Sequence, residues 1–138
     1  MSIQLFTDGG SRGNPGPAAC AFVVQEGTTV VNQGSKLLGV MTNNEAEYQG
    51  FLLSLEWLIA ALQTNSTYTR AEWQLDSKLV VEQLNRRWKI KEPRMRLLAS
   101  ECWKSLNALS IPYSIGHIPR EKNALADALL NQTLDSAA

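Results

Sequence analysis

The chain has 138 residues, 44% of them hydrophobic, which is enough for one domain with its own core. Its 13 basic and 13 acidic residues balance, so a globally basic surface of the kind that binds nucleic acids is excluded. No apolar run is long enough to cross a membrane, and the N-terminus lacks the basic and apolar regions of a signal peptide.

The two cysteines give a further indication of where the protein works. Cys20 and Cys102 lie far apart in apolar surroundings and lack the spacing of zinc ligands, which predicts reduced, packed thiols. We therefore expect a cytoplasmic protein with a single domain over residues 1–138.

The first half of the chain predicts three strands and a long helix. Ile3–Thr7 is a short apolar strand, and Asp8–Pro17 is a loop with four glycines. Ala18–Gln25 and Thr29–Leu37 are rich in valine and are joined by a glycine turn, which predicts two further strands. Asn43–Gln63 places leucine and isoleucine at helical spacing and is the first helix.

The second half alternates strands with helices. Arg70–Asp76 is a strand, and Ser77–Asn85 is a helix with apolar residues on one side. Pro93–Ala108 is a helix whose proline suits the first turn. Ile111–Ile118 is the last strand, and Glu121–Thr133 is the final helix.

This order of elements predicts an α/β fold. The first three strands form an antiparallel meander, and the later strands need helical crossovers, which make parallel pairs. We expect a five-stranded mixed sheet flanked by helices, with a frayed tail over residues 134–138.

Four acidic residues lie where folded chains often place chemistry. Asp8 and Asp76 each end a predicted strand, Glu47 lies early in the first helix, and Asp127 lies on the final helix. If the first and fourth strands are neighbours, Asp8 and Asp76 meet at one edge of the sheet. Each residue also has a plain structural explanation: a turn for Asp8, a helix N-terminal charge with Asn44 as cap for Glu47, an N-cap for Asp76, and an exposed carboxylate for Asp127.

Clustered carboxylates suggest a metal site. They raise one another's pKa unless cations lie among them, and Mg²⁺ binds through a few carboxylates, water and phosphate oxygens. Two ions about 4 Å apart can activate water and stabilise a leaving oxygen at phosphorus. The chain has one histidine and no Ser/His/Asp pattern, so this hypothesis needs no nucleophilic side chain. It predicts two Mg²⁺ ions, with Mn²⁺ as the alternative ion.

Four motifs, in order, resemble those of the ribonuclease H family. They are Thr7–Pro17 (TDGGSRGNPGP), Thr42–Tyr48 (TNNEAEY), Leu75–Ser77 (LDS) and His117–Asp127 (HIPREKNALAD). Any one motif alone is a weak signal, but the ordered set is specific, and the resemblance covers about residues 3–131.

The resemblance implies an endonuclease that hydrolyses the RNA strand of RNA–DNA hybrids with two divalent metals and leaves 5′-phosphate and 3′-hydroxyl ends. It implies that Asp8, Glu47, Asp76 and Asp127 hold the metals, and that Glu47 also helps to fix a 2′-hydroxyl, the group that distinguishes RNA from DNA. The resemblance also implies the ribonuclease H-like fold and the RNA–DNA hybrid as partner, and we expect a monomer with no obligate protein partner.

The same resemblance suggests further site residues. His117 would be an auxiliary catalytic residue that shuttles protons or helps product to leave, although a lone histidine is more often structural. Arg120 would contact phosphate or pair with a carboxylate. The glycine-rich loop is either a plain turn or part of the substrate groove, which would be lined by Gly9, Gly10, Ser11, Asn14, Thr42 and Asn43.

Charge is concentrated in one stretch. Residues 86–96 contain six basic side chains and one acidic side chain, Glu92, which gives a local charge of +5. The stretch is either a solvated face or a phosphate-binding patch formed by Arg86, Arg87, Trp88 and Lys89. Many relatives carry a basic protrusion here, whereas Trp88–Glu92 leaves no room for one. In this respect the chain is similar to compact ribonuclease HI proteins, and the basic stretch partly replaces the protrusion.

Three alternatives differ in function class. A non-catalytic hybrid-binding module on the same fold should have lost carboxylates, and all four are present. A domain of a reverse transcriptase or another polyprotein would normally be part of a longer chain. A DNA-cutting transposase or resolvase would share the fold but lack the Asp-Gly-Gly-Ser and Asn-Asn-Glu-Ala-Glu motifs.

Overall fold

A five-stranded sheet with helices on both faces forms the fold, in a computed structural model that describes residues 1–64 and 67–137. The strands of this described part are β1 (Ser2–Ser11), β2 (Gly16–Glu26), β3 (Thr29–Met41), β4 (Arg70–Leu75) and β5 (Tyr113–His117). Its α-helices are α1 (Asn43–Gln63), α2 (Lys78–Leu84), α3 (Pro93–Asn107) and α4 (Ala124–Ser136), and a short 3₁₀ helix, Arg120–Lys122, precedes α4.

The strand order is β3-β2-β1-β4-β5. The first three strands pair antiparallel, whereas β4 is parallel to β1 and β5 is parallel to β4. The predicted mixed sheet is therefore confirmed. Thr7 of β1 pairs with Leu75 of β4, so the next residues along the two chains, Asp8 and Asp76, lie beside each other at one edge.

The glycine loop is shorter than predicted. Residues 8–11 continue β1 and pair with Ala18–Ala21 of β2, which leaves a loop over residues 12–15. The prediction of a loop over Asp8–Pro17 was wrong because glycine allows a turn but does not exclude an extended strand.

The C-terminal helix is longer than predicted. It runs to Ser136, and Leu134 is buried against Ala19 and Ala21 of β2. The expected fraying was therefore wrong for residues 134–136, because an apolar contact with the sheet holds the last turns. Ala138 lies outside the described residues.

Other predicted ends were displaced by a few residues. Helix α4 begins at Ala124 because a 3₁₀ turn precedes it, and β3 continues to Met41 because β2 pairs with it as far as Gly16. Residues 85–92, rather than Trp88–Glu92, separate α2 from α3. Helix α1 has the predicted bounds, and α3 differs from its prediction only at the last residue.

The core lies mainly between the sheet and helices α1, α2 and α3. Its largest fully buried side chains are Trp73, Tyr48 and Phe51, and the Trp73 Nε1–H donates to Ser54 Oγ at 2.8 Å. A smaller apolar cluster lies under α4, on the other face of the sheet. Both cysteines are free and buried, as predicted. Within the described ranges, no helix is long and apolar enough to span a membrane.

Candidate active site

Two glycines bring helix α1 unusually close to strand β1. A Cβ on Gly9 would lie 2.1 Å from the Ala46 carbonyl oxygen, and a Cβ on Gly50 would lie 2.6 Å from the Asp8 carbonyl oxygen. Both distances exclude any side chain, so the helix and strand backbones are in direct contact. This contact places Glu47, which follows Ala46, next to Asp8. The close contact with α1 is by itself a sufficient reason for glycine at position 9.

A capping box fixes the start of α1. The Glu45 N–H donates to Thr42 Oγ1 at 3.2 Å, and Glu45 Oε1 accepts from the Thr42 backbone N–H at 3.3 Å. The predicted cap, Asn44, was wrong, because Thr42 has the extended backbone of an N-cap and its hydroxyl reaches the helix. Glu47 follows in the next turn, in a position set by this cap.

Three of the four predicted carboxylates form a tight group. Asp8, Glu47 and Asp76 each contribute one oxygen, and these oxygens all lie within 4.8 Å of one another. Asp8 is 4% exposed and Glu47 is 8% exposed. Glu47 Oε2 is buried and has no hydrogen-bond partner among the described residues. A buried carboxylate oxygen without a partner is energetically costly, and a bound cation would remove that cost. Carboxylate oxygens are also the ligands that a hard divalent cation prefers.

The electrostatics of the group support the same conclusion. Burial and, after it, the negative charge of Asp76 raise the pKa of Asp8 to about 7. Burial and the charge of Asp8 also raise the pKa of Glu47 well above its ordinary value. Without a cation the pair tends to retain a proton, whereas a divalent cation would favour the charged carboxylates.

Asp127 lies in the first turn of α4 and lines the same open groove as Asp8 and Glu47. It is not one of the three residues of the tight group, but its charge contributes to the raised pKa of Asp8. The groove has a volume of about 590 Å³. Among the residues that line it are six of the predicted site residues besides Asp8 and Glu47: Gly9, Gly10, Ser11, Asn43, Arg120 and Asp127.

Two predicted groove residues have structural partners. Asn14 Oδ1 accepts from the Asn43 backbone N–H at 3.0 Å, and Asn43 Oδ1 accepts from the Ser11 backbone N–H at 2.8 Å. These bonds tie the glycine loop to the start of α1. Asn14 and Thr42 line a neighbouring depression rather than the main groove.

His117 ends β5 and is exposed. Its ring Nε2 lies 3.2 Å from the Asp76 backbone carbonyl oxygen. The predicted auxiliary histidine is therefore placed beside the tight group, next to Asp76.

The predictions missed one residue of this site, Asn123. It is 1% exposed, and its Nδ2 donates to the Thr7 carbonyl oxygen at 2.9 Å and to Asp76 Oδ2 at 3.2 Å. Its own carbonyl accepts the Asp127 N–H, so it also begins the helix that carries Asp127. The signal in the sequence was an asparagine at a helix start, four residues before an acidic residue.

The basic stretch and Trp103 line a second groove, which has a volume of about 490 Å³. The Arg86 guanidinium lies 3.9 Å from the centroid of the Trp103 ring, and Arg87 forms an ion pair with Glu82 at 2.5 Å. Trp88 is 45% exposed, and Lys89 is exposed. The two arginines thus have partners within the protein, while the tryptophan and the lysine face solvent.

Comparisons with known proteins agree with this geometry. A family model described as reverse transcriptase-like matches residues 6–133. A bifunctional protein of Mycobacterium tuberculosis is 38% identical over 140 residues, which is 100% of this chain and 37% of that protein. Ribonuclease HI of Halobacterium salinarum is 38% identical over 138 residues, which is 98% of this chain and 65% of that protein. The chain therefore spans less than two thirds of the length of these two relatives.

Solved structures extend the likeness to the whole fold. The crystal structure of RNase H1 from Halobacterium salinarum has a TM-score of 0.88 at 36% identity, and the alignment covers 99% of both chains. LC11-RNase H1, solved in complex with an RNA/DNA hybrid, has a TM-score of 0.91 at 34% identity over 98% of both chains. Because these alignments cover nearly the whole length of both chains at 36% and 34% identity, the chain belongs to the ribonuclease H family.

Proposed function

We propose that this chain is an endonuclease that hydrolyses the RNA strand of RNA–DNA hybrids and leaves 5′-phosphate and 3′-hydroxyl ends. The observation that carries the proposal is the group of three carboxylates, Asp8, Glu47 and Asp76, of which the first two are buried and line an open groove. Ribonuclease H activity is also what the names of the relatives indicate, and one of them was crystallised with a hybrid.

The four carboxylates would hold two divalent cations, for which Mg²⁺ is the expected ion and Mn²⁺ the alternative. Asp8, Glu47 and Asp76 would supply hard oxygen ligands, and Asp127, which lines the same groove as Asp8 and Glu47, would add a fourth ligand from α4. When bound, two such ions activate a water and stabilise the leaving oxygen. The protein's own contribution is to hold the carboxylates in a buried arrangement that leaves one side open to the substrate.

The groove residues suggest how the hybrid is bound. Glu47 and the backbone of Gly9, Gly10 and Ser11 would lie along the strand to be cut and recognise its 2′-hydroxyls. Arg120 would contact a phosphate. His117, beside Asp76, would assist proton transfer or product release, so we expect its loss to slow turnover without abolishing it.

The basic groove would bind the backbone of the substrate farther from the cut. Trp88 offers an exposed ring on which a sugar or base can pack, and Lys89 offers an exposed positive charge. The chain would act as a single-domain monomer, and a cytoplasmic location remains a prediction.

Matched duplexes test the proposal. RNA–DNA, RNA–RNA and DNA–DNA duplexes of one sequence, end-labelled, would be incubated with Mg²⁺, with Mn²⁺ and with chelator. We expect cutting of RNA in the hybrid, only when metal is present. Cutting of RNA–RNA as well would show a broader duplex specificity. Hybrid binding with no cutting in either metal would contradict the proposal and favour the non-catalytic binding module.

A further inference from the structure

Asn123 lies at the junction of three elements that carry carboxylates. Its side-chain amide reaches β1 at the Thr7 carbonyl, next to Asp8, and reaches the Asp76 carboxylate at the end of β4. Its backbone carbonyl accepts from Asp127 in the first turn of α4. No other side chain of the described residues is recorded with hydrogen bonds to both strands at this edge.

The orientation of this amide is determined by its neighbours. Both atoms that face Nδ2, the Thr7 carbonyl oxygen and Asp76 Oδ2, are hydrogen-bond acceptors. A flipped amide would direct Oδ1 at two acceptors, so only the orientation with Nδ2 toward them forms hydrogen bonds.

The buried amide carries an energetic cost. Asn123 is 1% exposed, and its Oδ1 is buried with no partner among the described residues. An apolar side chain would remove that cost if position 123 served only to fill space. The donor side of the amide, which faces Thr7 and Asp76, is therefore the part that the site uses.

We propose that Asn123 is a positioning residue that fixes the orientation of the Asp76 carboxylate and sets the distance from α4, with Asp127, to the other three carboxylates. It acts through the metal ligands and does not touch the substrate, because it is buried beneath them. This inference rests on the proposed function for the assignment of the carboxylates as metal ligands.

The test compares Asn123→Ala with the wild-type protein in two measurements. Calorimetric titration with Mg²⁺ alone reports metal affinity without substrate, and steady-state cleavage of a hybrid reports kcat and KM separately. We expect Mg²⁺ affinity and kcat to fall roughly 10- to 100-fold, as for other residues that orient metal ligands, with little change in KM. A donor on a shorter side chain, Asn123→Ser, should recover part of the loss.

Ser54→Ala is the matched control. Ser54 is buried and accepts a hydrogen bond from Trp73 Nε1, so its loss also leaves a buried polar group unpaired, but it has no contact with the carboxylates. This variant should lose thermal stability and keep its Mg²⁺ affinity. If Asn123→Ala does not fold, Asn123→Ser is compared with Ser54→Ala instead.

Two results would overturn the inference, and they can be distinguished. If wild-type protein binds Mg²⁺ and the Asn123 variants bind it equally well, the positioning role is wrong and the proposed function stands. If wild-type protein neither binds Mg²⁺ nor cuts the hybrid, both the proposed function and the positioning role are wrong.

Discussion

The carboxylate group and the basic stretch are built in opposite ways. Asp8, Glu47 and Asp76 come from three elements whose backbones pack together, and two of these side chains are almost fully buried. The basic stretch lies mostly in the connection between α2 and α3, and its charged side chains are exposed. Buried groups keep their geometry when neighbours change, whereas exposed charges are screened by salt.

This difference suggests a division of roles. The buried group would determine whether cleavage occurs, and the exposed stretch would determine how tightly the hybrid is held. Substitutions in the first should therefore change kcat and metal binding, and substitutions in the second should change KM and its dependence on salt.

Removing one ligand charge should have the largest effect. We expect Asp8→Asn and Asp76→Asn each to lower kcat by more than about 100-fold, because outer partners of metal ligands alone account for that much. The measurement is hybrid cleavage at saturating Mg²⁺. Asp135→Asn, which alters an exposed ion pair with Arg12, serves as control and should cut normally. A rate within a few-fold of wild type for either ligand variant would refute the metal assignment.

The contact between α1 and β1 should tolerate no added atom. Gly9→Ala would place Cβ 2.1 Å from a backbone oxygen of α1, so the helix must move. We expect stability to fall by at least about 2 kcal/mol in denaturant unfolding, with loss of Mg²⁺ binding. Gly10→Ala is the comparison for stability, since its nearest neighbour is a Leu130 side-chain carbon at 3.4 Å. Equal stability of the two variants would show that the contact is not close.

The metal-free protein should lose stability as pH rises. Burial raises the pKa of Asp8 from 3.8 to about 7 in the folded state, so folding takes up a proton between these values. In chelator, stability is therefore greatest at low pH within this range and is lost as pH rises through about 7. Asp8→Asn lacks this loss and should be more stable than wild type at pH 8, with the difference vanishing near pH 4.

Thermal melting in chelator and in Mg²⁺ measures this effect. Mg²⁺ should stabilise wild-type protein at pH 8 and have little effect on Asp8→Asn. The quantity to compare is the difference in stability between wild type and Asp8→Asn in chelator. If this difference is the same at pH 8 and at pH 4, burial of the Asp8 charge is not costly.

Within the basic stretch, a lysine should matter more than an arginine. Lys89→Ala should weaken hybrid binding and reduce the salt slope by about 1, because Lys89 is exposed. Arg87→Ala should have a smaller effect on binding, because Glu82 already pairs with Arg87. Both variants should keep the wild-type kcat. Lys104→Ala, on the last turn of α3, is the control. If Lys89→Ala weakens binding no more than Lys104→Ala does, the basic stretch is only a solvated face and not a phosphate-binding patch.

Several features were accessible from the sequence because local patterns determine them. Helix α1 was predicted with correct ends, since apolar residues recur at helical spacing and a polar segment precedes the helix. The meeting of Asp8 and Asp76 was predicted on the condition that the first and fourth strands are neighbours, and the parallel pairing of β1 with β4 meets that condition.

Other features depend on contacts that sequence patterns do not encode. The extension of β1 through Gly9 requires a pairing strand and a helix that excludes side chains, and neither is visible in the glycine motif. The burial of Leu134 depends on small residues of β2 that lie more than 100 positions earlier. Asn123 was missed because its partners come from two distant strands.

The most direct test of the central claim is to locate the metal. A crystal of the protein with an RNA–DNA hybrid and Mn²⁺, measured at a wavelength where manganese scatters anomalously, would show where the ions bind. We predict two peaks, in contact with the oxygens of Asp8, Glu47, Asp76 and Asp127. Peaks elsewhere, with these four carboxylates unligated in an active protein, would contradict the account.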